Sequence, residues 1–261
     1  DRQFDIVFLY SVFVNGTSTI QLCKKHNIPV VYRVLDVYHK LRQNLVIRYP
    51  LLLGEKFIYR NCDLVIATNS KLRDYVINIR GDVNEPAVEV LEHGVDCDHF
   101  RPLPKSKKFI QKLGISENAK LLLYLGTTYS FSGLDDILSM IPDLRQAIGD
   151  IKFIIVGGGE LDERLHSLAE KLGIGDSFIH LGMRNYEELP SLISIADVVV
   201  NPFRINDITR SIIPIKMLQY LACAKPCISA PIEDLMKLIP PQSSGVTYCD
   251  IENSGFFKQE L

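Results

Sequence analysis

A chain of 261 residues that is 47% hydrophobic and 23% charged has the makings of about two globular domains. Its formal net charge of -2 excludes a global basic field that would draw nucleic acid, so any phosphate binding has to come from a local site. No apolar run reaches the roughly 20 residues of a membrane-spanning helix, and no secretory signal opens the chain.

Ile6–Ser11, Pro29–Leu35, Asp63–Thr68 and Ala87–Gly94 read as strands. Between them Thr17–His26, Leu41–Arg60 and Ser70–Arg80 read as helices. Strands rich in Val, Ile and Leu without alternation imply a parallel sheet covered on both faces. Pro50 predicts a kink or break in the second helix. Asp36 and His39 follow the second strand, at the edge of the sheet where ligands sit. A turn at His93–Asp96 then leads into Arg101–Phe109, which is rich in Pro and Lys and is the best linker candidate in the chain.

After this joint the alternation restarts. Lys120–Gly126, Lys152–Gly158, Ser177–Gly182, Asp197–Pro202, Pro226–Ala230 and Gly245–Asp250 read as strands. Leu134, Ile137, Leu138 and Ile141 form one helical stripe, and Leu161, Leu165, Leu168, Ala169 and Leu172 another. Gly157-Gly158-Gly159 fails as a dinucleotide fingerprint, because Asp162 stands where the third glycine is needed, and reads instead as a tight strand-to-helix turn. The richest stretch is Val198–Ala230: strand, loop, helix, turn, strand. Pro214 suits a first helical turn, Ser211 is a candidate N-cap, and Met217, Leu218, Leu221 and Ala222 recur at helical spacing. A polar loop feeding a helix at the carboxyl end of a buried strand is a place where α/β sheets bind anions. Arg204, Arg210 and Lys216 crowd that place. Six cysteines form no CxxC pair and have no histidine at zinc spacing, which points to reduced, buried thiols of a cytosolic protein and to no metal site. In such a protein the sequon Asn15-Gly16-Thr17 has no consequence.

Four segments carry a resemblance. They are HGVDCDHFRP at 93–102, LLLYLGTTYSFSGLDDIL at 121–138, FIIVGGGELDERL at 153–165, and the stretch 197–230 with KMLQYLACAKPCISA. In this order and spacing the chain resembles the GT-B glycosyltransferases of the retaining family 4, the glycosyl transferase group 1 type. The resemblance implies an α/β fold of two Rossmann-like domains with parallel sheets and a cleft between them, incomplete at both termini. Residues 1–102 would be the C-terminal part of the acceptor-side domain, and 103–261 the nucleotide-sugar-binding domain, truncated at its end. The isolated chain is accordingly expected to be inactive.

The implied reaction moves a sugar from a nucleotide diphosphate donor to an acceptor hydroxyl with retention, without metal or cofactor. The acceptor would be a glycan, a lipid-linked group or a small molecule, and the whole protein would be cytoplasmic, with peripheral contact at the inner face of a membrane. Backbone N–H groups of Ile213–Lys216 would hold the diphosphate, with Gly126, Thr127 and Thr128 in the first loop and Gly182, Met183 and Arg184 at the base. Lys216, with Arg210 or Arg204, would neutralise the leaving diphosphate.

The chain departs from the family at four positions. Thr127 and Ser132 stand where an Arg and a Lys are usual, and Ser211 and Gln219 where two glutamates are usual. Gln219 can still bond a ribose diol, and Ser211 a sugar hydroxyl. These departures keep open a second reading, a catalytically degenerate sugar-nucleotide-binding partner of another enzyme. A GT-B sugar-nucleotide epimerase fits less well, because its acidic and histidine set is missing.

Overall fold

The computed structural model describes residues 4–10, 15–40, 44–81, 87–206, 209–241 and 245–251. Ser11, the expected helix start at Leu41 and the tail beyond Ile251 lie outside them. The chain divides by packing into two compact units, Asp1–His93 and Gly94–Leu261, with Ser211–Ile213 falling to the first.

The first unit alternates β1 (Val7–Leu9), α1 (Gly16–Lys25), β2 (Val30–Val34), α2 (Leu45–Asn61), β3 (Leu64–Ala67), α3 (Ser70–Arg80) and β4 (Ala87–Val90). The four strands are parallel in the order of the chain. Crossovers between successive neighbours have one hand, so the three helices share one face. This differs from the expected cover of both faces, and α2 accordingly packs against both α1 and α3. Its side chains Ile58 and Tyr59 join Val30, Tyr32, Val34, Val65 and Ala67 in the core. Contrary to the expected break, α2 runs through Pro50. Pro50 lies in the exposed half of the helix, where water can serve the carbonyl of Val46 that loses its partner.

The second unit contains α4 (Lys107–Lys112), β5 (Lys120–Leu125), α5 (Leu134–Ile148), β6 (Ile151–Val156), α6 (Asp162–Lys171), β7 (Phe178–His180), α7 (Leu189–Ile195), β8 (Val198–Asn201), α8 (Ile215–Ala222), β9 (Cys227–Ser229), α9 (Glu233–Leu238) and β10 (Val246–Tyr248). Its six parallel strands are ordered β10-β9-β8-β5-β6-β7. The strands are shorter than the apolar runs suggest, because the last residues of each run leave the sheet to form loops. The predicted stripe of α5 is fully buried. All but His93 of the signature at 93–102 belongs to this unit: the Asp96 carboxylate accepts the N–H groups of Asp98 and His99, and His99 stacks on Tyr186 with Phe100 buried against both.

The strand order reverses between β5 and β8, which pair through Leu122 with Val198 and Leu123 with Val199. A crevice at the carboxyl ends of the strands is expected at such a reversal. Two loops border it, one after β5 and one after β8. They are fastened together by the Arg204 N–H on the Phe131 carbonyl and by the Arg204 guanidinium on Ser130 O, Asp135 (2.7 Å) and Asp136 (2.6 Å). Asp135 also pairs with Arg164 of α6 at 2.6 Å. On the other side, the Thr128 hydroxyl donates to Asp162, whose carboxylate also accepts the Gly159 N–H. Two glycines permit this approach. A Cβ on Gly133 would lie 2.0 Å from the Pro202 carbonyl oxygen, and one on Gly157 2.1 Å from that of Gly126, both at positive φ.

Two outcomes follow for the strand ends. Gly157→Ala should cost at least about 2 kcal/mol, through strained φ and the clash with Gly126, read as a fall in the denaturation midpoint. Arg204→Ala leaves Asp135 with Arg164, so its cost should be about 1.5–3 kcal/mol rather than the larger penalty of a lone buried charge. Amide exchange should localise that loss to the first turn of α5.

Candidate functional site

The site grows from the sequence of α8. The helix begins at Ile215, with Pro214 at the N-cap position and no side-chain cap. Ser211 is therefore not the N-cap that its position suggests: it closes a short 3-10 turn, Thr209–Ser211, one turn earlier. Pro214 stands just outside the helix rather than within its first turn. Met217 and Tyr220 face the core, and the Tyr220 hydroxyl accepts the N–H of Leu125 at the end of β5 at 2.8 Å. This bond fixes the rotation of α8 against β5 and aims Lys216 at the crevice.

Lys216 is buried, with its ammonium 3.8 Å from the ring centre of Tyr124 and 4.6 Å from that of Phe203. A Cβ placed on Gly126 would come 3.1 Å from its Nζ, so the lysine lies directly over that glycine. Among the described residues no carboxylate pairs with it. Burial pulls its pKa well below the ordinary lysine value, and the only charge interaction of note is with the neighbouring Cys227 thiol. Burial drives that thiol up, so it remains protonated. The Tyr124 hydroxyl donates to the Thr127 carbonyl at 2.8 Å, which ties the ring under the ammonium to the loop above it. A cation held by ring faces, beside the first turn of a helix, is in an electrostatic setting that favours an anion.

The other candidates fall into distinct places. Gly126 lies beneath Lys216, and Thr127 is exposed beside it. Thr128 is wholly buried, and its hydroxyl is engaged by Asp162, so it joins two loops and does not face solvent. Arg204 is likewise engaged, its guanidinium paired with Asp135 and Asp136. Arg210 is exposed on the 3-10 turn. Gln219 is half-buried one turn beyond Lys216 on α8. Gly182 accepts the Gly157 N–H through its carbonyl, and after it Met183, 82% exposed, and Arg184 project from the loop. Ile213 is buried and falls with the first unit. Of the six cysteines, five are buried as expected, but Cys97 is exposed.

Sequence reasoning missed Tyr124, Phe203 and Tyr220, the aromatic frame of Lys216. The one tyrosine within the leucine run of β5 was the available signal. It also missed a cluster in the first unit. Glu55, fully buried, accepts the His39 N–H at 3.0 Å, faces His39 Nδ1 at 2.9 Å, and accepts the Tyr75 hydroxyl at 2.6 Å. Asp36, just before it, is half-buried, and burial pushes its carboxyl up to about 6.

Among the described residues no helix is long and apolar enough to cross a membrane, and no group of three or more metal-ligating side chains is found. The pattern of the glycosyl transferases group 1 fits residues 105–250, and that of glycosyltransferase family 4 fits residues 1–99. The chain is 21% identical over 257 residues to an uncharacterized glycosyltransferase of Methanocaldococcus jannaschii, covering 95% of this chain and 62% of that protein. It is 26% identical over 258 residues to alpha-monoglucosyldiacylglycerol synthase of Streptococcus pneumoniae, covering 94% of this chain and 56% of that protein. It therefore spans less than two thirds of either relative. Among solved structures, Anabaena HepE in complex with UDP-glucose superposes with a TM-score of 0.75 over 98% of this chain and 68% of that one, at 19% identity. That similarity agrees with the two parallel sheets. With one family pattern covering more than half of its residues, the chain belongs to the glycosyl transferases group 1.

Proposed function

We propose that the whole protein transfers a sugar from a nucleotide diphosphate donor to an acceptor hydroxyl, with retention at the anomeric carbon. The observation that carries this reading is the buried, unneutralised Lys216 at the start of α8, beside the β5–β8 reversal. In the reaction the bond from the anomeric carbon to the diphosphate breaks, and the diphosphate takes the electron pair. The acceptor oxygen bonds to that carbon and loses its proton. Negative charge grows on the leaving group, and a fixed cation there stabilises the transition state more than the ground state. Lys216 and the first N–H groups of α8 supply that compensation, so the reading needs no metal ion. The second unit takes the donor, with Gln219 at the ribose and the loop after Gly182 at the base, and the first unit takes the acceptor.

The name of the pneumococcal relative suggests a lipid-linked acceptor, and the complex of HepE suggests a uridine diphosphate sugar. We place the reaction in the cytoplasm, at the inner face of a membrane. A specific observation favours a second reading, a nucleotide-sugar-binding protein without turnover. Gln219 replaces an acid on α8, and Thr127 and Ser132 replace two cations. Incubating the full-length protein with labelled nucleotide sugars separates the two: transfer or hydrolysis supports the enzyme, and binding alone supports the second reading.

Two further results are expected. Lys216→Ala should lower kcat roughly a hundredfold or more while leaving the fold intact, and Lys216→Arg should restore part of the loss. Unchanged turnover in Lys216→Ala would make the lysine a packing residue.

The second concerns pH. A lysine whose folded pKa lies below its ordinary value of 10.5 binds fewer protons folded than unfolded between those two values. Stability of the ligand-free protein should therefore rise as pH rises through that alkaline window, and Lys216→Met should flatten the rise. Nucleotide diphosphate restores the charged form, so in the same window its binding should take up a proton. Calorimetry in two buffers of different ionisation enthalpy measures that uptake.

A further inference from the structure

The loop after β5 presents a short run of aromatic rings that leads away from Lys216 to solvent. Tyr129 stacks on Phe131, with ring centres 5.0 Å apart and planes 21° from parallel. Phe131 meets Phe203 edge to face at 5.4 Å, and Phe203 lies 4.6 Å from the Lys216 ammonium. Phe203 is buried and Phe131 half-buried, yet Tyr129 is 47% exposed. Phe131 takes one face of the Tyr129 ring, and among the described residues no second ring stacks on it. The Tyr129 hydroxyl makes no hydrogen bond among them either.

The turn that bears this ring is fixed at each residue. The Tyr129 carbonyl accepts the Ser132 N–H at 2.9 Å and the Ser132 hydroxyl at 2.5 Å. The Ser130 carbonyl accepts the Arg204 guanidinium at 3.0 Å, and the Phe131 carbonyl the Arg204 N–H at 2.8 Å. The Ser130 N–H donates to Glu160. Folding has therefore already ordered the turn, and a ligand that stacks on Tyr129 has little of it left to order.

The ring also borders the crevice. Burial first, and the nearby Tyr129 phenol after it, push the pKa of the Tyr124 hydroxyl up, and Tyr124 is the ring beneath the Lys216 ammonium. In the order β8-β5-β6-β7, β7 lies on one side of β5 and β8 on the other. In the proposed function the base sits at the loop after Gly182, beyond β7. The aromatic run leads the opposite way, from the β5 loop to Phe203 after β8. With the diphosphate at Lys216, the part of the donor on this side is the sugar. A pyranose has hydroxyls around its rim and C–H bonds on its faces. Those C–H bonds suit the electron-rich face of an aromatic ring, and the Tyr129 hydroxyl is left to bond one on the rim.

We propose that Tyr129, backed by Phe131, is the surface on which the pyranose ring of the donor stacks. The proposal rests on the reading that places the diphosphate at Lys216, and it requires binding but not turnover.

The test is calorimetric binding to the full-length protein of two matched pairs, UDP with UDP-glucose and GDP with GDP-mannose. Tyr129→Ala should weaken the nucleotide sugar of the pair that binds about five- to tenfold. It should leave the bare diphosphate within about twofold, which also shows that the variant folds. Tyr129→Phe keeps the ring and should stay close to wild type for both. In proton NMR of the bound nucleotide sugar, the C–H signals of the pyranose should move upfield with the wild type and Tyr129→Phe, but not with Tyr129→Ala. Three results would overturn the proposal: nucleotide-sugar affinity indifferent to Tyr129→Ala, an equal loss for the bare diphosphate, or no upfield shift with the wild type. Binding of neither pair by the wild type would refute the placement of the diphosphate, and the stacking surface with it. Stacking without sugar transfer would leave the surface standing and count against the proposed reaction alone.

Discussion

The candidate site of the second unit turns on a buried lysine that no carboxylate neutralises among the described residues. Lys216 has its charge against the faces of Tyr124 and Phe203, beside the last residues of β5. Ring faces offer a cation about 0.5–2 kcal/mol, whereas removing it from water costs several. The difference is why its proton is held weakly. In the proposed reaction an arriving diphosphate would reverse that balance, because a charge-assisted bond would form where only ring faces stood.

The surrounding side chains keep this one cation separate from the others. Arg204 lies on the neighbouring loop, yet Asp135 and Asp136 hold its guanidinium, and Arg164 completes the pairing of Asp135. Thr128 and Asp162 fix the opposite side of the crevice. The Tyr220 hydroxyl under Leu125 N–H sets the rotation of α8. The absent side chain of Gly126 leaves the space that Lys216 occupies. Two loops of fixed shape then flank a single cation, and electrostatic preorganisation requires such rigidity, since a mobile charge would reorganise as the bond breaks.

Much of the fold was legible in the sequence. Strand runs such as Leu121–Tyr124 and Phe153–Val156 are apolar without alternation because helices cover them, and α5 announced its buried face through Leu134, Ile137, Leu138 and Ile141. The limits of elements were less legible. Ser211 has the chemistry of an N-cap, but a 3-10 turn takes it, and the helix starts four residues later. Pro50 did not end α2, because the Val46 carbonyl it leaves unpaired lies in the exposed half of the helix, where water can serve it. In the site, the place of Lys216 at a helix start was legible, but its burial against two rings was not. The roles of Arg204 and Thr128 were not legible either, because residue type does not reveal that Asp135, Asp136 and Asp162 face them from distant segments. Tyr124, Phe203 and Tyr220 looked like core residues, and they are. That Tyr124 and Phe203 also lie against the Lys216 ammonium, only the three-dimensional arrangement reveals.

The most direct measurement is a crystal structure of the full-length protein with a bound nucleoside diphosphate. The account predicts a terminal phosphate oxygen about 2.7–2.9 Å from Lys216 Nζ, with the phosphate over Gly126 at the start of α8 and Arg204 still paired with Asp135 and Asp136. A phosphate bound elsewhere, or one held by Arg204 while Lys216 stays on the Tyr124 ring, would contradict it.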